Sequence, residues 1–479
     1  MLRYHLSMIA AAFTLGACSS STPPAAQQAA PASPVAAAAT PARANPLLSP
    51  STLPFQAPPF DTIRDADFEP ALEEGMRQQR AEVAAIADNP APPAFDNTLV
   101  ALERTGQTLN RVNMIFNALS GANTNPTLQK VQERMAPRFA AQADAIYLDP
   151  KLFARVEAVY RQRARLHLDP EALRLVEVDY QQFVHAGARL ADADKIRLKQ
   201  LNEQESTLSA QFVNRLLAAN KAGALVVRDK VALAGLGEGV LAAAAQDAQG
   251  RGLEGQWLLP LQNTTQQPAL QSLDDRATRK QLFEASWTRA ERGDANDTRA
   301  IIAELAWVRA EKAKLLGFPD YAAWKLEDQM AKTPAAVDAF LARLVPPATA
   351  KARAEAAAIQ AVIDRQHGGF KLAPWDWNFY AEQVRKARYD LDEAQIRPYF
   401  ELDRVLKDGV FYAANQLYGV TFKERHDLPV YQPDVRVFEV FDHDGAPLGL
   451  IYFDYFKRDN KSGGAWMDNF VGQSRLLGT

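Results

Sequence analysis

Any chemistry in this 479-residue chain has to come from six histidines, one cysteine and a run of cations beside a glycine pair. Two histidines one helical turn apart, at i and i+4, put both imidazoles on one metal ion. His5, His167, His185, His367, His426 and His443 contain no such pair, and none opens an HExxH run. No metal ligand is therefore assigned, and turn chemistry accounts for His443, which sits between Asp442 and Asp444. Lys461-Ser462-Gly463 would need a Ser-x-x-Lys nucleophile, but no serine has Lys three residues later. Gly235, Gly237 and Gly239 lack dinucleotide-binding spacing and read as loop. Gly472-Gln473-Ser474-Arg475 is not a nucleophile elbow, because Leu476 stands where the second Gly belongs. Acids such as Asp376, Asp392 and Glu393 read as solvated helix faces, since paired carboxylates alone are weak evidence for acid–base work. Arg385, Lys386 and Arg388 could attract a peptide carboxylate, or pair with Asp390, Asp392 and Glu393 on a helix face. No catalytic residue is assigned.

Gly463, Gly464, Ala465 and Trp466 remain as the candidate contact for a substrate. Two β-branched and aromatic runs, 435–441 and 448–453, flank Asp444-Gly445, a hairpin signal because Gly tolerates positive φ in the turn. The second run leads through Asp454 and Lys457-Arg458-Asp459-Asn460-Lys461 into the glycines. Small residues beside a strand let another backbone approach. One reading is a sheet edge lying along an extended peptide, by strand addition. The other is a tight loop packed under a helix expected beyond residue 479. Both stay open.

These residues need a frame, and most of the chain supplies helix. Phe68, Leu72, Met76, Val83 and Ile86 form one apolar stripe, stopped by Asn89-Pro90. Leu99, Leu102, Leu109, Val112, Phe116 and Leu119 predict another helix, ending at Gly121. Asp169-Pro170 starts a third. Leu198, Leu201, Leu208, Phe212 and Leu216 mark a fourth. Helix dominates as far as about residue 425, interrupted by short extended segments at 224–227 and 257–260. Lys plus Arg number 54 against 57 Asp plus Glu, so no basic surplus points to nucleic acid.

The first residues read as export. Arg3, an apolar run over 6–15 and Leu15-Gly16-Ala17-Cys18 resemble a bacterial lipobox, with Cys18 the lipidation site. The run is too short for a permanent membrane helix. Residues 19–46 are Ala, Pro, Ser and Gln with Arg43 the only charge, and such a composition cannot repay its ordering entropy. The expectation is a disordered tether, with the protein lipid-anchored in the bacterial cell envelope, at the outer membrane facing the periplasm.

A family resemblance covers nearly all of the remainder. Asn45-Pro46, Leu53-Pro54-Phe55, Ala122-Asn123-Thr124-Asn125-Pro126, Leu259-Pro260-Leu261-Gln262-Asn263, and the block Pro374-Trp375-Asp376-Trp377-Asn378-Phe379-Tyr380 occur in order. With the 450–467 segment, they resemble the zinc metallopeptidases that include thimet oligopeptidase, oligopeptidase A and the bacterial peptidyl-dipeptidases, most nearly the last. The resemblance implies a mainly α, two-lobed, zincin-like helical architecture around a deep channel, with a small β-hairpin or sheet near the C-terminus. It implies zinc held by HExxH and a later Glu, short unfolded peptides as substrates, and release of C-terminal dipeptides. The organisation expected is a signal over 1–18, the tether over 19–46, an N-terminal helical region over 47–270, and the start of the catalytic region over 271–479. The sequence stops at Thr479 before any HExxH helix. It is therefore expected to hold no zinc ligand and to be inactive alone; a monomer is also expected. Phe438, Phe441, Tyr452, Tyr455 and Phe456 are expected to lie exposed, giving poor solubility. The alternative is a lipid-anchored peptide-binding or scaffold protein without catalysis.

Overall fold

Several helices start at a polar residue followed by Pro, and the computed structural model, which describes residues 43–390 and 393–479, gives the reason. The side chains of Asn125, Asp149, Asp169 and Thr333 accept backbone N–H bonds at the starts of helices Pro126–Tyr147, Pro150–Gln162, Pro170–His185 and Pro334–Arg365. Each cap satisfies an N–H the helix leaves without a partner, and Pro at the first position has none to satisfy.

The first stripe is the buried face of helix Asp65–Ala87. It packs on helices Gln107–Ala122 and Pro126–Tyr147, where Val112, Phe116, Leu128 and Met135 complete one core. Phe68 and Phe116 meet there with ring centroids 5.3 Å apart. Burying one such side chain stabilises by about 2–3 kcal/mol. Helix Asp192–Ala222 carries the fourth stripe, and its Leu201 and Leu208 pack on Ile301, Leu305 and Val308 of helix Arg299–Leu315.

The stripe from Leu99 to Leu119 is not one helix. A short turn, Ala101–Glu103, ends at Arg104, and the chain restarts at Gln107. Gly106 between them has φ +70° and donates its N–H to the Glu82 carboxylate at 2.6 Å. Glycine takes this left-handed conformation without a Cβ clash. Of the three spaced glycines, Gly235 and Gly237 lie in a loop, and only Gly239 falls within helix Glu238–Gln249.

Strands β1 (Leu225–Val227) and β2 (Trp257–Leu259) pair antiparallel, as the two extended segments suggest. β4 (Arg436–Phe441) and β5 (Pro447–Phe453) form the hairpin, closed by Asp442 N–H to the Ala446 carbonyl at 2.8 Å. A further strand, β3 (Thr421–Arg425), lies where helix was expected. Gly419, at φ +75°, ends helix Tyr412–Tyr418 just before it. Arg425–Glu439 and Arg436–Glu424 ion pairs, at 2.6 and 2.7 Å, then fix β3 against β4.

The exposed aromatic patch is also mostly absent. Phe438 is 2% exposed, under the rings of Phe411 and Phe453. Phe441 is partly covered, and Tyr452 packs on Phe60 and Phe470. Tyr455 and Phe456 are exposed. The larger apolar exposure lies on helix Pro334–Arg365, where Phe340, Leu341, Leu344 and Val345 are 44–57% exposed.

Candidate functional site

A cleft of about 1680 Å³ opens along β5. In the three-stranded sheet the order is β3-β4-β5, so β5 is an edge. One side of β5 pairs with β4, and its other side pairs with no strand among the described residues. Residues 448–453 line the cleft, together with residues 55–58, the ends of helices Gln107–Ala122 and Asp192–Ala222, and residues 260–264. An edge strand presents backbone N–H and C=O groups in a row, ready to pair with an extended chain.

The segment after β5 is fastened at both ends of its charged run. Asp454 accepts from Arg458 at 2.8 and 2.7 Å, from Lys461 at 2.9 Å and from the Tyr431 hydroxyl at 2.9 Å. Burial pushes this carboxyl up, but the Arg458, Lys461 and Tyr431 hydrogen bonds outweigh burial and hold it below the usual range. Tyr431 is pushed up, by burial and then by the Asp454 charge. Lys461, itself buried, also donates to the carbonyls of Asp454 at 2.6 Å and Phe456 at 3.1 Å.

The same loop is stitched to the end of helix Gln107–Ala122. Arg458 donates to the Ala122 carbonyl at 2.9 Å, and Ser462 N–H to the Gly121 carbonyl at 2.8 Å. The Asn460 side-chain amide reaches Asn123 at 2.8 Å and the Thr124 carbonyl at 3.0 Å. Asp459 accepts two bonds from Arg251, at 3.1 and 2.9 Å. Thus residues 121–124, of which 122–124 were quoted above as part of a motif, are the dock for the run 458–462.

Gly463, Gly464, Ala465 and Trp466 follow directly, and all four are exposed on the cleft wall. A Cβ on Gly463 or Gly464 would meet nothing within 4 Å, so neither is glycine because of packing against a described neighbour. Gly464, at φ +92°, is in the conformation that favours glycine.

Other candidates fall elsewhere. Asp376 is fully buried under Arg276, at 2.9 and 2.8 Å, and Arg279, at 3.4 Å, and ties two helices together. Arg385 pairs with Glu382 at 2.7 Å. His443 is exposed in the hairpin turn with Nδ1 2.8 Å from Asp442. His185 Nε2 lies 2.8 Å from the Trp324 carbonyl. Cys18 lies outside the described residues. Among the described residues no three His, Cys, Asp or Glu side chains are placed to hold a metal ion. The zinc implied by the family resemblance finds no fit in them. Sequence reasoning missed the Asp454–Arg458–Lys461–Tyr431 cluster and residues 55–58. The charge run 457–461 was the available signal.

Comparison with known proteins places the chain. Residues 269–478 match the model described as Peptidase family M3. The dipeptidyl carboxypeptidase of Escherichia coli (strain K12) is 58% identical over 432 residues, covering 90% of this chain and 63% of that protein. The dipeptidyl carboxypeptidase of Salmonella typhimurium is 57% identical, covering 90% and 64%. Oligopeptidase A of Escherichia coli is 31% identical over 435 residues, covering 90% and 63%. The chain thus spans a little under two thirds of the length of these curated relatives. The fold is that of the mainly helical oligopeptidase class. Over residues 269–478 the chain is thus similar to peptidase family M3.

Proposed function

We propose that this chain forms the peptide-binding wall of a zinc metallopeptidase, one that releases C-terminal dipeptides from short unfolded peptides. The observation that carries the reading is the free edge of β5 along the cleft, continued by the exposed 463–466 ribbon. A peptide laid against that edge exchanges main-chain hydrogen bonds whatever its sequence, and the cleft walls exclude folded chains. The dipeptide preference rests on the relatives named dipeptidyl carboxypeptidase. Zinc, where bound in such enzymes, lowers the pKa of a bound water and polarises the scissile carbonyl. This chain's own residues would hold the peptide, through the edge of β5 and residues 463–466.

Trp466→Ala tests the wall. Trp466 is 46% exposed, so the variant should melt with wild type yet bind a fluorescein-labelled nonapeptide several-fold more weakly by anisotropy. Unchanged peptide affinity would refute the assignment. A second reading is peptide binding in the same cleft without catalysis. It predicts peptide binding with no chelator-sensitive cleavage on chromatography. For location, we propose a lipid anchor on Cys18 in the cell envelope, on the periplasmic side of the outer membrane. Cys18→Ser should move the protein from the membrane to the soluble fraction, and persistence in the membrane would reject the anchor.

A further inference from the structure

We propose that the ring of Phe55 walls an apolar subsite in this cleft, so that peptides carrying a large apolar side chain bind more tightly than their polar counterparts; the inference rests on the peptide-binding reading above. Phe55 lies on the cleft wall and is 39% exposed. Its backbone is at φ +54° and ψ +24°, and Gln56 follows at φ +57°. Glycine takes this left-handed region freely, whereas a bulky residue there is an outlier. Gln56 N–H donates to the Leu53 carbonyl at 2.9 Å, closing a turn with Pro54 second and Phe55 third. A turn with Pro second and positive φ third ordinarily takes Gly or Asn at that place. The flanking chain holds the strain. Ala57 N–H donates to the Pro54 carbonyl at 3.1 Å, Ala57 is buried, and Pro54, Pro58 and Pro59 restrict the backbone on both sides.

This strap is set against the strand edge. Phe60, just beyond it, packs edge-on against Tyr431, Tyr452 and Phe470, with ring centroids 5.3, 6.2 and 5.3 Å away. Tyr452 belongs to β5, and all three of those rings line the cleft. The strap residues Ala57 and Pro58 line it too, as do the apolar side chains of Ala118, Ala122, Leu216 and Leu217. An exposed ring returns little burial energy to the fold, because water still covers much of it. Strained backbone persists where the surroundings over-determine it, and it clusters at ligand clamps. Phe at position 55 therefore costs the free protein strain that Gly would avoid, and gains its burial only when an apolar side chain of a bound peptide covers the ring.

The test uses the full chain and N-terminally fluorescein-labelled nonapeptides of Ala and Gly that carry Leu or Asn at the fifth or the sixth position, so that both faces of a bound strand are sampled. By anisotropy, wild type should bind the Leu peptide about tenfold more tightly than its Asn counterpart at one of the two positions. Phe55→Ala should lose that preference while keeping its affinity for the Asn peptides, which also reports an intact fold. Phe55→Leu should keep part of the preference. Gln56→Gly, which frees the second strained residue, should raise the urea midpoint. Equal binding of Leu and Asn peptides by wild type at both positions overturns the apolar subsite but leaves the peptide cleft standing. Retention of the Leu preference in Phe55→Ala removes Phe55 from it. A Gln56→Gly midpoint below that of wild type overturns the strain argument that singles out this turn. Failure of every peptide to bind overturns both this inference and the reading beneath it.

Discussion

Arg458→Ala should cost more stability than any other single change in the site, and the structure gives the size. The guanidinium makes two bonds to Asp454, at 2.8 and 2.7 Å, and one to the Ala122 carbonyl at 2.9 Å. Arg458 and Asp454 side chains are 15% and 10% exposed. Charge-assisted bonds contribute about 1.5–3 kcal/mol each before context. Breaking one side of a buried pair costs about 3–5 kcal/mol. Two features reduce that range here. Lys461 and Tyr431 remain on Asp454 after the truncation, and the buried Arg458 Nε, which has no partner, is removed with it. A loss of about 2–4 kcal/mol is therefore expected, read from the shift in urea midpoint at constant slope.

Arg458→Lys keeps one charge but not the fork, and should recover less than half. The pH dependence follows from the sign of the Asp454 shift. Its folded pKa lies below the unfolded one, so its contribution is complete above the unfolded pKa and fades as pH falls through the folded value. The gap between wild type and Arg458→Ala should narrow in acid. A variant within about 0.5 kcal/mol of wild type at neutral pH, the scale of an unremarkable surface change, would refute the view that this cluster fastens the cleft wall.

Two further changes probe the frame. Burial and the nearby Glu103 charge push Asp179 up to about 7, and one of its oxygens is buried without a partner. A raised carboxyl stabilises the fold only while protonated, so stability should fall as pH rises from its unfolded value toward 7. Asp179→Asn should then gain about 2–4 kcal/mol near pH 8 and little near pH 4 in paired urea melts; equal effects at both would reject the cause. On helix Pro334–Arg365, Leu341→Lys with Leu344→Lys should reduce binding of an apolar-surface dye and raise solubility, at a cost below about 0.5 kcal/mol because both are exposed. Unchanged dye binding would place the accessible apolar surface elsewhere.

Local signals were legible where local physics decides. The cap at Asp169, the stripe of helix Asp65–Ala87 and the Asp444-Gly445 hairpin each depend on residues a few positions apart. The break at Gly106 was hidden because its acceptor, Glu82, lies 24 residues earlier. β3 was read as helix because its pairing partners, Glu439 and Arg436, lie on another strand. The aromatic patch failed for a similar reason: Phe60 and Phe411, which cover parts of it, are not adjacent in sequence. In the site, 463–466 could be picked out by composition. Its anchor could not, since Asn460 and Thr124 are 336 residues apart.

That separation also says why the ribbon is exposed and held in place at once. Every anchoring bond of the run falls between Asp454 and Ser462, and the exposed glycines begin at the next residue. The loop therefore divides into a half whose charges are spent on the scaffold and a half whose backbone faces the cleft. A strand edge recruits a peptide only if its own position costs nothing further to fix on binding. The Asp454–Arg458–Lys461 cluster meets that cost during folding, through contacts to the far end of the sequence. Weakening it should lower peptide affinity without touching a single residue that contacts the peptide, and affinity that survived Arg458→Ala intact would show that the ribbon is positioned by something other than this anchor.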